Sequence, residues 1–271
     1  MNQINNYKLL ALDLDGTILN DSQKLEAETV EIIDKIREQG IEVIVATGRM
    51  YISALPYLKK LNLDGAVITY NGALIKNIST GQIIKHHPIR CELAEEIITF
   101  CREHNLHLNL YFDDRLYYSQ KRKEAKYYEK ISGVKGNLCE NMQVFLDKST
   151  TKLLIVEKNE AKLQEILYTL KKKYHDSLKI ARSEKAYIDI MNKDVSKGNA
   201  LRELADELNI KKDEIIAVGD NFNDFEMLNF AGLSLVMGNA DKKLKKIADI
   251  VVGNNNELGA ARGLKNILKL G

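Results

Sequence analysis

The stretch YKLLALDLDGTILN, residues 7–20, decides how this chain is read. Its apolar run Leu-Leu-Ala-Leu has the composition of a strand buried on both faces, the kind found inside a parallel sheet. Yet Asp13 and Asp15 follow at once, two residues apart. Side chains two apart on extended backbone point the same way, so the spacing predicts that the two carboxylates converge on one spot. Unit charges about 4 Å apart repel by roughly 4 kcal/mol at an effective dielectric near 20. That is a large part of the ~5–15 kcal/mol that keeps a domain folded. A divalent cation would neutralise them; otherwise one acid keeps its proton, the state a general acid requires.

Downstream, Leu25, Thr29, Ile32, Ile33 and Ile36 recur at helical spacing, and Gly40 stands where that helix would end. IEVIVATGR is a second buried strand. A helix-like stretch from Met50 to Leu61 leads to DGAVITYNGALI, where Asn71-Gly72 is a hairpin signal. Strand, helix, strand, helix, strand is the signature of a parallel sheet wound with helices. The rhythm returns in SKGNALRELADELN, EIIAVGD, NDFEMLNFA, GLSLVMG, DKKLKKIA and DIVVG, with a last helix from about Glu257. Residues 1–86 and 192–271 therefore read as one α/β core, doubly wound and mostly parallel, and 87–191 as an inserted α/β domain. Within the insert, ELAEEIITFC and KLQEILYTLKKKY are amphipathic helices, and LHLNLYF alternates as a strand with one open face. Helices are expected on one side of its sheet.

Several function classes are excluded by composition. With 45% hydrophobic and 29% charged residues and only 2 Pro in 271 residues, neither disorder nor a fibrous repeat is indicated. No apolar run approaches the roughly 18–20 residues of a membrane span, and the polar opening from Met1 to Tyr7 lacks the pattern of an export signal. A cytoplasmic protein with no membrane association is expected. Cys91, Cys101 and Cys139 are too few and too scattered for a disulfide or zinc framework. The net charge of +2 is too mild to suggest nucleic acid, and the lysine clusters at 171–173 and 242–246 read as solvated helix faces. A monomer or weak homodimer is expected.

Ligands of a parallel α/β sheet bind beyond the carboxyl ends of its strands, and the unusual polar residues of this chain fall there. Asp13 and Asp15 follow the first strand, Thr47-Gly48-Arg49 the second, and Asp220 the strand EIIAV, with Asn223 and Asp224 just beyond; Lys197 opens a helix of the same half. An all-oxygen set from Asp13, Asp15 and Asp220 suits Mg²⁺, which prefers a few protein oxygens and keeps several waters. Thr47 offers a hydroxyl, the turn through Gly48 offers backbone N–H groups, Lys197 a point charge and Asn223 an amide donor. A carboxylate nucleophile, a metal and donors for phosphoryl oxygens together constitute a phosphoryl-transfer site. Taken singly, each of these motifs reads as a turn or a helix cap; four in order at strand ends do not.

DLDGT at 13–17, TGR at 47–49, SKG at 196–198 and GDNFND at 219–224 resemble, in order, the four motifs of the haloacid dehalogenase-like phosphatase superfamily. The large insert, the YNGA after the third strand and the DVSKGNAL join are similar to its Cof-type branch, although Asp194 and the lack of a Pro depart from the commoner approach to the lysine. The resemblance implies a Rossmann-like core with an inserted cap, and a Mg²⁺-dependent phosphatase acting on a small phosphomonoester: a sugar phosphate, a phosphorylated cofactor or a nucleotide. It implies Asp13 as the nucleophile that forms an aspartyl-phosphate and Asp15 as the acid and base. Mg²⁺ would be held by the Asp13 side chain, the Asp15 backbone carbonyl and Asp220, with Asp224 supporting. Thr47, Lys197, Asn223 and the Leu14 N–H would hold the phosphoryl group. A phosphomutase on the same site, or a phospho-aspartate or ligand-sensing regulator with little turnover, are the alternatives. Arg49 reads either as a helix-start salt bridge or as a phosphate or substrate contact. If helices cover only the apolar side of the insert's sheet, its polar side roofs the catalytic site. His107, Asn109, Tyr111, Arg182, Tyr187 and Asp189 are then the candidates for reading the leaving group.

Overall fold

The computed structural model describes residues 7–145 and 147–271. The expectation that Met1 to Tyr7 carries no export signal rests on a segment that, Tyr7 apart, lies outside the described residues. In chain order the first part contains β1 (Leu9–Leu12), α1 (Ala27–Glu38), β2 (Glu42–Ala46), α2 (Tyr51–Lys60), β3 (Ala66–Thr69), β4 (Leu74–Asn77) and β5 (Ile83–His86). The middle contains α3 (Cys91–Glu103), β6 (His107–Phe112), β7 (Arg115–Tyr118), α4 (Lys123–Ser132), β8 (Asn137–Leu138), β9 (Lys152–Val156), α5 (Glu160–Tyr174), β10 (Leu178–Glu184) and β11 (Tyr187–Asn192). The last part contains α6 (Lys197–Glu207), β12 (Ile215–Gly219), α7 (Phe225–Phe230), β13 (Leu233–Val236), α8 (Lys242–Lys245), β14 (Ile250–Val251) and α9 (Gly259–Ile267). These fall into two compact units, one of residues up to 49, 54–85 and 196–271, the other of 50–53 and 86–195.

In the first unit, the described strands form one sheet in the order β14-β13-β12-β1-β2-β3-β4-β5. Pairing is parallel from β14 through β3, and β4 returns antiparallel through the Asn71-Gly72 turn. The chain winds outward from β1 through β2 and β3, then restarts beside β1 with β12 and winds outward the other way. That reversal between β1 and β12 is the topological switch point at which open α/β sheets bind ligands. Leu9 and Ala11 of β1, with Ile44, Ala46 and Ile68, pack against Leu201 and Leu204 of α6 and Met227 and Leu228 of α7. Strand alternation turns Leu10 and Leu12 to the opposite face, where α1 lies against β2 and α9 against α1. The doubly wound architecture expected from the alternating pattern is present. No helix among the described residues is long and apolar enough to cross a membrane, and all three cysteines are free.

The second unit holds a sheet in the order β10-β11-β9-β6-β7-β8, antiparallel except where β8 joins β7. Leu108, Leu110, Ile155, Ile188 and Ile190 form its apolar face, packed with Leu93 and Ile97 of α3 and Leu163 and Ile166 of α5. The opposite face differs from expectation. His107, Asn109, Tyr111, Tyr187 and Asp189 are all buried rather than open. The helix α4 accounts for part of this, because the Tyr128 ring meets those of Tyr111 and Tyr187 edge-on at centroid distances of 6.4 and 5.7 Å. So helices flank both faces. The sequence KEAKYYEKIS hides this because α4 has no apolar stripe; Ala125 is its one fully buried side chain among those described. What it covers is a polar face, which a polar helix can match through Tyr128. Arg182 is a second correction. Its Cα stands opposite Ile188, on the apolar side of the sheet, and its guanidinium bonds both oxygens of Glu160 at 2.7 and 2.8 Å. It does not share a face with Tyr187 and Asp189.

Candidate active site

Asp13 prolongs the alternation of Leu9 and Ala11, so its side chain turns toward the α6 side, and there it meets Lys197. Ser196 caps α6 by accepting from the Asn199 N–H, which fixes Lys197 as the first helical residue. The lysine Nζ donates to Asp13 Oδ1 and to Asp224 Oδ1, each at 2.6 Å, and is fully buried. Asp224 Oδ2 in turn accepts from the backbone N–H groups of Asp220 and Asn221, both at 3.0 Å. With both oxygens bonded, Asp224 acts as a strut between the lysine and the loop after β12. Gly219 makes that loop possible, since a Cβ there would lie 2.6 Å from the Asp224 Cβ.

Carboxylate oxygens of Asp13, Asp220 and Asp224 all lie within 4.8 Å of one another. Three carboxylates against one lysine leave a surplus of two negative charges. Burial lifts the Asp13 carboxyl well above the ordinary range, against the pull of Lys197 and with help from Asp224 and Asp220. Burial and then Asp224 likewise push Asp220 up to about 6. Burial disfavours the charge of Lys197, but Asp13 and Asp224 outweigh it and hold the ammonium above the ordinary lysine value. Protons therefore partly fill the charge deficit, a role a divalent cation would take over. The surroundings fit such an ion. Gly16 adopts φ +74°, and a Cβ there would stand 2.3 Å from Asp220 Oδ2, so only glycine leaves the space beside that oxygen open.

Asp15 does not join this group. The strand ends at Leu12 and its alternation reaches no further than Asp13, whose N–H still donates to the Val218 carbonyl at 3.0 Å, so the two acids part. The Asp15 carboxylate is bound by Arg49, from Nε at 2.7 Å and Nη2 at 2.5 Å. Arg49 is in turn steadied by Gln23 and by the Tyr57 ring, 4.9 Å from the guanidinium carbon. The electrostatic conflict foreseen for Asp13 and Asp15 is thus resolved by two cations, one for each acid.

The Thr47–Arg49 turn is buried at Thr47, whose Oγ1 accepts from the Arg49 N–H at 3.1 Å. Of the N–H groups at the start of α2, those of Tyr51 and Ile52 are taken by the Asp114 carboxylate, at 3.1 and 2.9 Å. They are not the free donors that the helix start suggests. Asn71, read from sequence only as a hairpin residue, belongs to this neighbourhood. Its N–H donates to the Thr47 carbonyl at 3.0 Å, and its Oδ1 accepts from Asn223 Nδ2 at 3.0 Å. Its left-handed φ of 56° is the conformation that Asn tolerates best after Gly. The following Gly72, at φ +104°, has no room for a Cβ, which would stand 2.2 Å from the Ser196 carbonyl oxygen. Leu14 lies between the two acids with its side chain buried, and its carbonyl accepts from the Ile18 and Leu19 N–H groups. A Cβ on Gly48 would lie 2.9 Å from Asn71 Oδ1.

The candidate residues of the insert form a separate set within the second unit. His107 donates to Asn109 Oδ1 at 3.0 Å, and Asp189 pairs with Lys152 at 2.8 Å. Lys152 was missed by sequence reading, because KLLIV looks like a strand entered from a solvated lysine; in the fold it is buried.

Known proteins resemble this chain in sequence and fold. Residues 10–264 match the family model described as haloacid dehalogenase-like hydrolase. A Thermotoga maritima protein of known crystal structure is 35% identical and superposes with a TM-score of 0.89, over 96% of this chain and 97% of that one. The 5-amino-6-(5-phospho-D-ribitylamino)uracil phosphatase YitU of Bacillus subtilis is 29% identical, over 97% of this chain and 98% of its own. The pyridoxal phosphate phosphatase YbhA of Escherichia coli is 27% identical, over 92% and 94% respectively. The chain belongs to the haloacid dehalogenase-like hydrolase family.

Proposed function

We propose that this hydrolase is a Mg²⁺-dependent phosphatase that cleaves small phosphorylated metabolites through a phosphoryl group carried on Asp13. One observation carries the reading: a buried carboxylate at the switch point, 2.6 Å from a buried lysine, in a cluster whose surplus of two negative charges calls for a divalent ion. An all-carboxylate set suits Mg²⁺. Bound by Asp13 and Asp220, with the Asp15 carbonyl, the ion would offset charge on the phosphoryl oxygens.

In the first half-reaction an Asp13 oxygen bonds to phosphorus as the bond to the leaving oxygen breaks, and Asp15 gives that oxygen a proton. In the second, Asp15 takes a proton from water, which attacks phosphorus, releases phosphate and restores the Asp13 carboxylate. Lys197, Thr47, the backbone around Leu14 and Gly48, and Asn223 would hold the phosphoryl oxygens, where fixed positive charge supplies most of the catalysis. Arg49 holds Asp15 as the ionised carboxylate through its two hydrogen bonds, so this pair must open for Asp15 to carry the proton that it gives to the leaving oxygen; Asn71 positions Asn223. Asp224 would support the metal shell from its place beneath Lys197.

The names of the relatives support a substrate built on a small heterocycle or sugar carrying one phosphate. Residues 87–191 would act as the cap that selects it. Phosphate release from a panel of such monoesters, with Mg²⁺ and then with EDTA, tests the reading. Acid-quenched protein should carry a phosphoryl group on Asp13 during turnover. Release that is indifferent to EDTA would sink it. A phosphorylated Asp13 that persists without release would instead favour the regulator, and transfer of the group to a second hydroxyl the mutase.

A further inference from the structure

The apolar face of the six-stranded sheet is covered unevenly. The helices α3 and α5 run for 13 and 15 residues, whereas a 3₁₀ turn, Met142–Phe145, packs into the same core without a third helix. A cavity of about 480 Å³ lies between that turn, the end of α3 and the starts of β6 and α4. Small-molecule sites span roughly 300–1,000 Å³. Cys101, Leu106, Leu108 and Met142 line it and are buried, giving it an apolar floor.

Charge collects among its other lining residues. Arg102 is exposed and Arg122 half-buried, with Glu140 as the carboxylate among the lining residues. The Arg122 guanidinium donates to Gln120 Oε1 at 2.7 Å, to the Asn105 carbonyl at 3.0 Å and to Asn105 Oδ1 at 2.5 Å. All three acceptors are neutral, so they fix the planar fork without cancelling its charge. The arginine ion pairs among the described residues are those of Arg37, Arg49, Arg182 and Arg262. Neither guanidinium of the cavity is neutralised by a bonded carboxylate. A preorganised arginine beside an apolar floor is the arrangement that binds an anionic head group with a hydrophobic body.

We propose that this cavity is a second binding site, for a small anion with an apolar aryl or alkyl body. The head group lies between Arg102 and Arg122, and the body rests on Leu106, Leu108 and Met142. It shares no residue with the Asp13 cluster. Arg122 also ties the entry of β6, through Asn105, to the start of α4, so an occupant would bear on the joint between the strand of His107 and Asn109 and the helix that follows Arg122.

Methyl-labelled methionine in the full chain provides the test, with the Met142 signal assigned by Met142→Leu and naphthalene-2-sulfonate as the probe. Titration should shift the Met142 methyl saturably. In Arg102→Gln the midpoint should rise at least about tenfold while the other methionine signals stay in place. Arg122→Gln should weaken binding in the same direction. A Met142 methyl that does not move up to millimolar probe would overturn the proposal. So would an unchanged midpoint in both arginine variants, since adsorption to apolar surface alone would give that result.

Discussion

Each unit of the molecule buries a lysine against an aspartate: Lys197 with Asp13 at 2.6 Å in the first, Lys152 with Asp189 at 2.8 Å in the second. The two pairs match in distance and nearly in burial, yet their surroundings differ. Lys197 faces three neighbouring carboxylates just beyond the ends of β1 and β12. Lys152 faces one, Asp189, which stands opposite Leu154 two residues further along the strand, and its Nζ lies 5.7 Å from the centre of the Tyr111 ring. The first cluster carries a surplus of two negative charges and could hold a metal ion; the second is balanced. Burial of charge is therefore a poor sign of function by itself. An unbalanced sum at a strand end is the better one.

The largest expected effect separates the two clusters. Asp13→Asn should cut phosphate release on the order of 10³-fold or more, because the attacking oxygen is lost. The melting temperature should not fall, since Lys197 keeps Asp224 and the local surplus shrinks. Asp189→Asn should behave in the opposite way. It strands a buried ammonium, which costs about 3–5 kcal/mol, whereas replacing both partners with apolar residues of similar volume is often neutral. Urea unfolding of Asp189→Asn and of the Lys152→Met/Asp189→Leu double variant would check this. Lost turnover with undiminished stability in Asp189→Asn would break the comparison and move the second pair into the site.

A smaller effect sharpens the reading of the surplus. In the metal-free protein Asp220 titrates near 6 against an ordinary value of 3.8. Between those values the folded protein holds a proton that the unfolded chain has released, so stability from this group falls as pH rises through the window. The difference in melting temperature between wild type and Asp220→Asn, measured in EDTA from pH 4 to 7, should shift against the wild type as pH rises and level off above about 6. Saturating Mg²⁺ should remove the wild-type penalty, because the ion replaces the proton and stabilises the folded state by mass action. A difference that stays flat across the range would mean that Asp220 carries no excess charge.

Why one cluster was legible in the sequence and the other was not follows from the same contrast. Asp13, Asp220 and Lys197 interrupt apolar or helical patterns where the pattern has no use for a charge, and the parallel topology brings those interruptions together. Asp189 sits inside a strand that alternates correctly and reads as part of a polar face, and Lys152 opens the apolar run KLLIV, where it reads as a solvated entry residue. Only three-dimensional packing, with Tyr128 of α4 set against Tyr111 and Tyr187, shows that this face is closed. The Asp13–Asp15 convergence failed for a local reason. The side-chain period of a strand carries no information past the end of its ladder, which here reaches Asp13 and no further, and Arg49 then claims Asp15. Asn71 was visible as a turn residue, but its bond to Asn223, 152 positions away, is encoded by no local pattern.

The smallest effect concerns the polar face itself. Burial pushes the His107 imidazole below its ordinary value of 6.5, although its hydrogen bond to Asn109 and the charge of Glu124 pull the other way and Arg122 adds to the depression. The unfolded chain therefore takes up a proton first as pH falls, and stability that is full above 6.5 is lost as pH drops below it toward the folded value. Each pH unit inside that window changes stability by at most about 1.4 kcal/mol. His107→Gln keeps an amide N–H for Asn109 and removes the titration, so its melting temperature should depend less on pH between 6.5 and 5 than that of the wild type. His86 is half-buried and likewise depressed, beside Thr151 at 2.9 Å, and His86→Gln is the control. If His86→Gln alone flattened the slope, the acid-sensitive point of the second unit would lie where its chain begins and not on the face beside α4.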